Sequence, residues 1–133
     1  MKMSIEKIKK EHEQIEREIV ELETIMEDDQ INYPNLIHVF RKLHNFWNSH
    51  ESREEVFFED IFEKNSKFPV DKIAFEHKEL NGYARAIHDA IKSGDEAEIK
   101  VSLDTDGKML LDKLKKHMEF EEILFDKLII KNE

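Results

Sequence analysis

The stretch that decides the fold is HESREEVFF, residues 50–58, together with its near-repeat HMEFEEILF, residues 117–125. Both follow the pattern H-x-x-x-E-E-x-Ω-F, in which Ω is an apolar residue. A histidine and a glutamate four residues apart lie on one face of an α-helix. In both stretches the same face also carries an apolar residue three positions after the glutamate, Phe57 in the first and Leu124 in the second, and both are expected in the core. The pattern therefore predicts two long helices whose buried faces each present a histidine and a carboxylate.

A shorter motif is repeated as well. Glu11-His12 followed by Ile15 matches Glu76-His77 followed by Leu80, at nearly the same separation as the two copies of the longer motif. The repeats predict two similar helical hairpins that face each other. Each hairpin supplies one histidine from its first helix and a histidine plus a glutamate from its second.

Four stretches with apolar residues at helical spacing cover most of the chain. Residues typical of helix ends and breaks separate them: Ser4 (N-cap), Pro34, Asn65-Ser66, Phe68-Pro69, Ser93-Gly94 (C-cap) and Asp95 with Glu98 (capping box). Gly107 interrupts the last stretch and predicts a bend or an irregular first half. We expect an all-α, up-down-up-down antiparallel four-helix bundle, with residues 1–133 forming a single domain.

Composition excludes several classes of function. The chain has no cysteine, which excludes disulfides, thiolate metal sites and cysteine nucleophiles. Its formal net charge of −10 argues against binding to nucleic acid. No apolar run approaches the roughly 18 residues that span a bilayer, and the N-terminal residues lack the apolar core of a signal peptide. These features predict a soluble, cytoplasmic protein without a membrane partner.

Every predicted helix places a histidine where its own periodicity expects a core residue, and two helices add a glutamate. These residues are His12, His50, Glu54, His77, His117 and Glu121. A single core histidine is usually structural, but burying two unpaired carboxylates at one level costs several kcal/mol each, and cations remove that cost. Imidazole and carboxylate ligands without thiolate suit iron or manganese, with zinc as a further candidate. A metal-free network of His–Glu hydrogen bonds is the alternative.

The remaining histidines fall off these apolar faces. His38, His44 and His88 are therefore predicted to lie on the surface or at the rim of the bundle.

These residues resemble the hemerythrin-like family, in particular its branch with the His-His-Glu cation-binding signature, and the resemblance covers essentially the whole chain. It implies a centre of two iron ions bridged by two carboxylates and an oxo or hydroxo group. The ligands carried over by the resemblance are His12, His50, Glu54, His77, His117 and Glu121, with Glu54 and Glu121 as the bridges.

The chain departs from the oxygen-carrying members of that family in two places. They have H-x-x-x-H on the third helix, where this chain has Ile73 and Asn81 on either side of His77. They also end on H-x-x-x-x-D rather than H-x-x-x-E. Without a fifth histidine, about two coordination positions of two octahedral irons stay open. Glu51 is a candidate for one of them, because hemerythrin-like iron-sensing domains share a His-Glu-x-x-Glu run; a solvated glutamate is the alternative.

The resemblance implies a protein that binds oxygen, nitric oxide or peroxide, or that senses iron or oxygen through an unidentified protein partner. Two alternatives stay open. One is a di-iron enzyme that reduces peroxide or nitric oxide, or donates iron for iron-sulfur cluster repair. The other is a metal-free helical interaction module. No catalytic residue and no organic cofactor is assigned, and the sequence does not decide between carrier, sensor and enzyme.

Overall fold

The computed structural model describes residues 4–131, so both predicted ends of the domain lie outside the described residues. The elements are α1 (Ile5–Met26), α2 (Tyr33–Lys64), α3 (Val70–Ser93), α4 (Glu96–Ser102), a π-helical turn (Leu103–Gly107) and α5 (Lys108–Lys131). Helix α4, the π-helical turn and α5 follow one another without a break and form the fourth leg of the bundle. The predicted all-α four-helix bundle is confirmed.

The helix ends follow the predicted signals, with one exception. The Ser4 side chain accepts a hydrogen bond from the backbone N–H of Lys7 and begins α1. Gly94 ends α3 with a φ of 70°, a conformation that favours glycine. Asp95 caps α4 by accepting from the N–H groups of residues 97 and 98. The reciprocal bond of a capping box is not made in the described region, since the Asp95 N–H donates to Ser93 Oγ.

The four legs form a closed ring. Helix α1 packs against α2 and α5, and α3 packs against the same two helices. Short connections between consecutive legs make neighbours antiparallel. No helix in the described range is both long and apolar enough to cross a membrane.

The buried side chains form two apolar clusters separated by a polar layer. The larger cluster contains Trp47, Phe40 and Leu80, and the smaller one is built around Phe58 and Phe125. Burying a side chain of this size stabilises the fold by about 1.5–3 kcal/mol. The two clusters therefore hold the bundle together on either side of a layer whose own burial opposes folding.

One sequence expectation is wrong in detail, and another is confirmed. Phe57 was expected in the core beside Glu54, but Phe58 is buried there, whereas Phe57 is half-buried and packs against the smaller cluster. The core position of the motif is its last phenylalanine, one helical turn after the glutamate. The irregularity near Gly107 is confirmed, and it takes the form of a π-helical turn.

Candidate metal centre

Four histidines, one from each leg of the bundle, meet in the polar layer. His12 comes from α1, His50 from α2, His77 from α3 and His117 from α5, and each is at most 4% exposed. In all four rings Nε2 faces the middle of the layer, where Glu54 and Glu121 lie. The six residues that the periodicity assigned to the core are brought together in this layer.

The two glutamates each present one oxygen to either side. Glu54 Oε2 lies 3.1 Å from His50 Nε2 and 3.4 Å from His12 Nε2, while its Oε1 lies 3.6 Å from His77 Nε2. Glu121 mirrors this arrangement, with Oε1 3.2 Å from His12 Nε2 and Oε2 3.3 Å from His117 Nε2. Such a carboxylate can bridge two cations.

The six residues form two overlapping groups. We call the first, which contains His12 and His50, the first half, and the second, which contains His77 and His117, the second half. Within each group, the ligand atoms of two histidines and both glutamates all lie within 4.8 Å of one another. Two positions with four donors each, sharing two carboxylates, are therefore present.

The donor atoms of this layer lack hydrogen-bond partners. Among the described residues, every buried side-chain atom without a partner belongs to this layer or to Glu51, apart from Oε2 of Glu18. The set includes all four histidine Nε2 atoms and all four oxygens of Glu54 and Glu121. Each orphaned polar group costs about 1–3 kcal/mol, and more if charged. The residues present therefore fit metal ions, which would satisfy these atoms together.

The electrostatics of the layer point the same way. Burial lowers the pKa of His12, but Glu121 and Glu54 outweigh it and raise that pKa to about 9. The same balance raises the pKa of His77 to about 10. Burial acts to raise the pKa of Glu121, yet the neighbouring histidines, His117 foremost, hold it well below its ordinary value. The carboxylates therefore hold protons on the histidines of the layer, and a cation binding there would displace those protons.

Two further glutamates, which we call the outer carboxylates, contact the ring nitrogens that face away from the layer. The sequence interpretation did not identify them. His50 Nδ1 donates to Glu11 Oε1 at 2.8 Å, and His117 Nδ1 donates to Glu76 Oε1 at 3.2 Å. A hydrogen bond from Nδ1 fixes the tautomer that leaves the Nε2 lone pair free for a metal. The repeated Glu-His pairs were the signal in the sequence. In each pair, the glutamate orients a histidine of the following leg of the bundle and not the histidine next to it.

The other two histidines also face carboxylates, at longer range. His12 Nδ1 lies 3.9 Å from Glu122 and His77 Nδ1 lies 3.8 Å from Glu55, distances too long for hydrogen bonds. These glutamates are the second members of the two Glu-Glu pairs in the long motif. The sequence repeat therefore extends to the surroundings of all four rings.

Glu51 is buried rather than solvated, with 5% exposure. Its Oε2 accepts a 3.5 Å hydrogen bond from Asn81 Nδ2, and its Oε1 has no partner. Burial raises the pKa of Glu51 to about 7, although His77 and His117 act in the opposite direction. Its carboxylate thus lies close enough to His77 and His117 for their charges to act on its pKa. Ile73, the other residue flanking His77, is apolar core.

A family model described as Hemerythrin HHE cation binding domain matches residues 3–128. The chain belongs to this family. The HHE domain thus spans nearly all of the sequence, and the buried His–Glu layer is where it would bind its cations. No curated protein and no solved structure matches the chain significantly.

Proposed function

We propose that this HHE domain holds two iron ions, bridged by an oxo or hydroxo group, and binds oxygen, nitric oxide or peroxide there. The supporting observation is the set of eight inward atoms, four Nε2 and four carboxylate oxygens, that share one buried layer without hydrogen bonds. A nitrogen and oxygen ligand set without sulfur suits iron, with manganese or zinc as alternatives. Bound iron would supply the one-electron chemistry that these small ligands need.

Each residue of the layer has a part in this proposal. His12 and His50 hold one ion, His77 and His117 hold the other, and Glu54 and Glu121 bind both. Glu51 supplies a further oxygen on the second half, in a position that the missing fifth histidine leaves open. The outer glutamates keep the imidazoles oriented.

The walls of the layer favour small ligands. Phe125 stacks on the His12 ring at 6.4 Å, and both apolar clusters keep bulk water from the layer. On one side, a groove of about 280 Å³ reaches the layer, with Glu76 and His117 in its wall. That opening leads a small molecule to the edge of the second half.

The competing functions differ in what they require. In a metal-free interaction module, only protonated histidines balance the charges of the buried Glu54 and Glu121, and burying such charges opposes folding. An enzyme that reduces peroxide or nitric oxide, or that donates iron, uses the same six ligands. A sensing role needs a protein partner whose binding responds to the state of the layer.

Metal content after anaerobic reconstitution tests the proposal directly. Protein incubated with ferrous iron and freed of excess metal should contain about two irons per chain by elemental analysis. Exposure of this protein to oxygen or nitric oxide should then change its optical spectrum. A protein that folds and retains no iron under these conditions contradicts the proposal. Loaded protein that does not respond to these ligands restricts the domain to metal binding.

A further inference from the structure

A third pair of histidines lies outside the centre, on the seam between α2 and α3. The rings of His44 and His88 have centroids 5.4 Å apart and planes inclined at 63°. Both rings rest against Phe40, each at 5.8 Å between centroids. Phe40 is buried, so it supports the two rings from the core side and limits how far they move.

The geometry of this pair resembles that of the pairs in the centre. His12 and His50 have ring centroids 4.9 Å apart at 65°, and His77 and His117 have centroids 4.7 Å apart at 69°. A metal lies about 2.1 Å from an imidazole nitrogen, so two imidazoles on one tetrahedral ion have ring centroids about 5 Å apart. The separation of the outer pair is close to this value.

The two rings open onto solvent and are ready to act as ligands. They line a groove of about 540 Å³. His44 Nε2 accepts a 3.3 Å hydrogen bond from Asn48 Nδ2, so this nitrogen carries a lone pair that an ion could take instead. Burial and the neighbouring His88 lower the pKa of His44, which keeps the ring neutral at neutral pH. An anion site would instead gain from a protonated ring.

The charged side chains of the same groove have opposite effects on a bound cation. Asp89 supplies a carboxylate, while Arg85 and Lys92 carry positive charge. All three are exposed. The long side chains of Arg85 and Lys92 can extend into water, which weakens their repulsion of a bound cation.

The groove lies on the same seam as Glu51. His44 is two helical turns before Glu51 on α2, and His88 is two turns after Asn81 on antiparallel α3, a distance of about 10 Å along the bundle. Asn81 lines the groove and donates to Glu51. The outer pair is thus separate from the centre but lies along a polar seam that ends at it.

We propose that His44 and His88 form a separate, solvent-accessible binding site for one divalent transition-metal ion, with water completing its coordination shell. Two imidazoles favour zinc, nickel or copper over calcium or magnesium. The site does not depend on metal in the central layer.

Zinc stoichiometry separates this site from the centre. After equilibrium dialysis against zinc, elemental analysis should find about three ions in the wild-type chain and about two in His44→Ala and His88→Ala. His38→Ala, which removes an exposed histidine of the same helix, should retain the wild-type count. In a Glu121→Ala background the outer site should still bind about one ion, and His44→Ala should abolish it, so failure of the centre and failure of this site are distinguishable.

Copper provides a second readout that does not rely on counting. Electron paramagnetic resonance of one added equivalent of Cu²⁺ in the Glu121→Ala protein should show coupling to two imidazole nitrogens, reduced to one in either outer variant. Zinc counts in His44→Ala and His88→Ala equal to that of His38→Ala would overturn the proposal. Loss of inorganic phosphate binding in those two variants, with unchanged zinc counts, would overturn it in favour of an anion site.

Discussion

The two halves of the centre are built from the same repeated motifs but differ in their surroundings. In the first half, Glu11 behind His50 is held by Arg53, whose Nη2 lies 2.6 Å from Glu11 Oε2. In the second half, Glu76 behind His117 has no such clamp among its described contacts. Phe120, which takes the place of Arg53 in the repeat, lies instead 3.7 Å beneath the amine of Lys72.

A second difference lies inside the layer. Glu51, the residue after His50, is a buried carboxylate whose pKa responds to His77 and His117 of the second half, whereas its counterpart Met118 is buried in the larger apolar cluster. Repeated positions build the two halves of the layer, and these two unrepeated positions make the halves unequal. The first half has the outer glutamate that is held by an arginine, and the second half has the interaction with Glu51 and the groove.

The largest loss of bound metal should come from removing a carboxylate that both halves share. Glu121→Ala should reduce bound iron from about two ions per chain to near zero, because its oxygens serve both halves. Elemental analysis after anaerobic reconstitution measures this. Glu119→Ala, an exposed glutamate on the same helix, is the matched control and should keep both ions. Retention of two irons by the Glu121 variant would mean that the carboxylate is not a bridge.

Glu51→Met places the same residue at position 51 as at position 118, its counterpart in the repeat, and so removes one of the two differences between the halves. The ion of the second half should lose affinity by about tenfold or more, while the other ion is unaffected. Competition with a chelator of known affinity resolves the two ions. The metal-free variant should also unfold at higher temperature, because a buried carboxylate with an unpartnered oxygen is removed. Equal affinities before and after the change, with Ser52→Ala as control, would leave Glu51 without a role in binding.

Substitution of the two outer carboxylates should lower the metal affinity of the two halves by different amounts. Glu11→Gln and Glu76→Gln should each weaken the ion of their own half by about 10- to 100-fold. We expect the larger loss for Glu11, whose hydrogen bond is shorter and whose side chain is 12% exposed compared with 24% for Glu76. The same chelator competition measures both, with exposed Glu13→Gln as the control. The reverse order would show that the clamp weakens Glu11 as a partner of His50.

The smallest effect should come from the clamp itself. Arg53 is 38% exposed, so Arg53→Met should weaken the first-half ion by only about threefold or less. In the Arg53→Met background, the losses of metal affinity caused by Glu11→Gln and by Glu76→Gln should also be closer to each other than in the wild-type chain. Arg41→Met, an exposed arginine of the same helix, is the control. A loss as large as that of Glu11→Gln would mean that Arg53 positions the whole carboxylate–histidine pair.

Sequence periodicity predicted the inward residues because each sits on the buried face of its own helix. His12, His50, His77 and His117, with Glu54 and Glu121, all converge as expected. Their identity as metal ligands stays a prediction, as do iron and the small ligand. The surface or rim location expected for His38, His44 and His88 is confirmed, with His38 exposed and the other two half-buried.

The outer residues could not be assigned in this way. Glu11 and Glu76 act on histidines of neighbouring helices, and periodicity within one helix carries no information on such contacts. Glu51 lies about 100° around the helix from His50, so its burial depends on how closely α3 approaches through Asn81. The incorrect core assignment of Phe57 has the same cause, because a shift of one position along a helix moves a side chain from the core to the rim.

The π-helical turn in residues 103–107 allows the fourth leg of the bundle to lose one residue without changing the direction of its ligand face. A π-helical turn holds one more residue than an α-helical turn while the helix on either side keeps its direction. Loss of one residue such as Thr105 can therefore be absorbed by return to a regular α-helix, with His117 and Glu121 still facing inward. The same loss from α5, at Asp112 for example, would rotate the ligand face by about 100° relative to α4. Single-residue deletions during divergence of this leg should therefore be tolerated in residues 103–107 and selected against between residue 108 and Glu121.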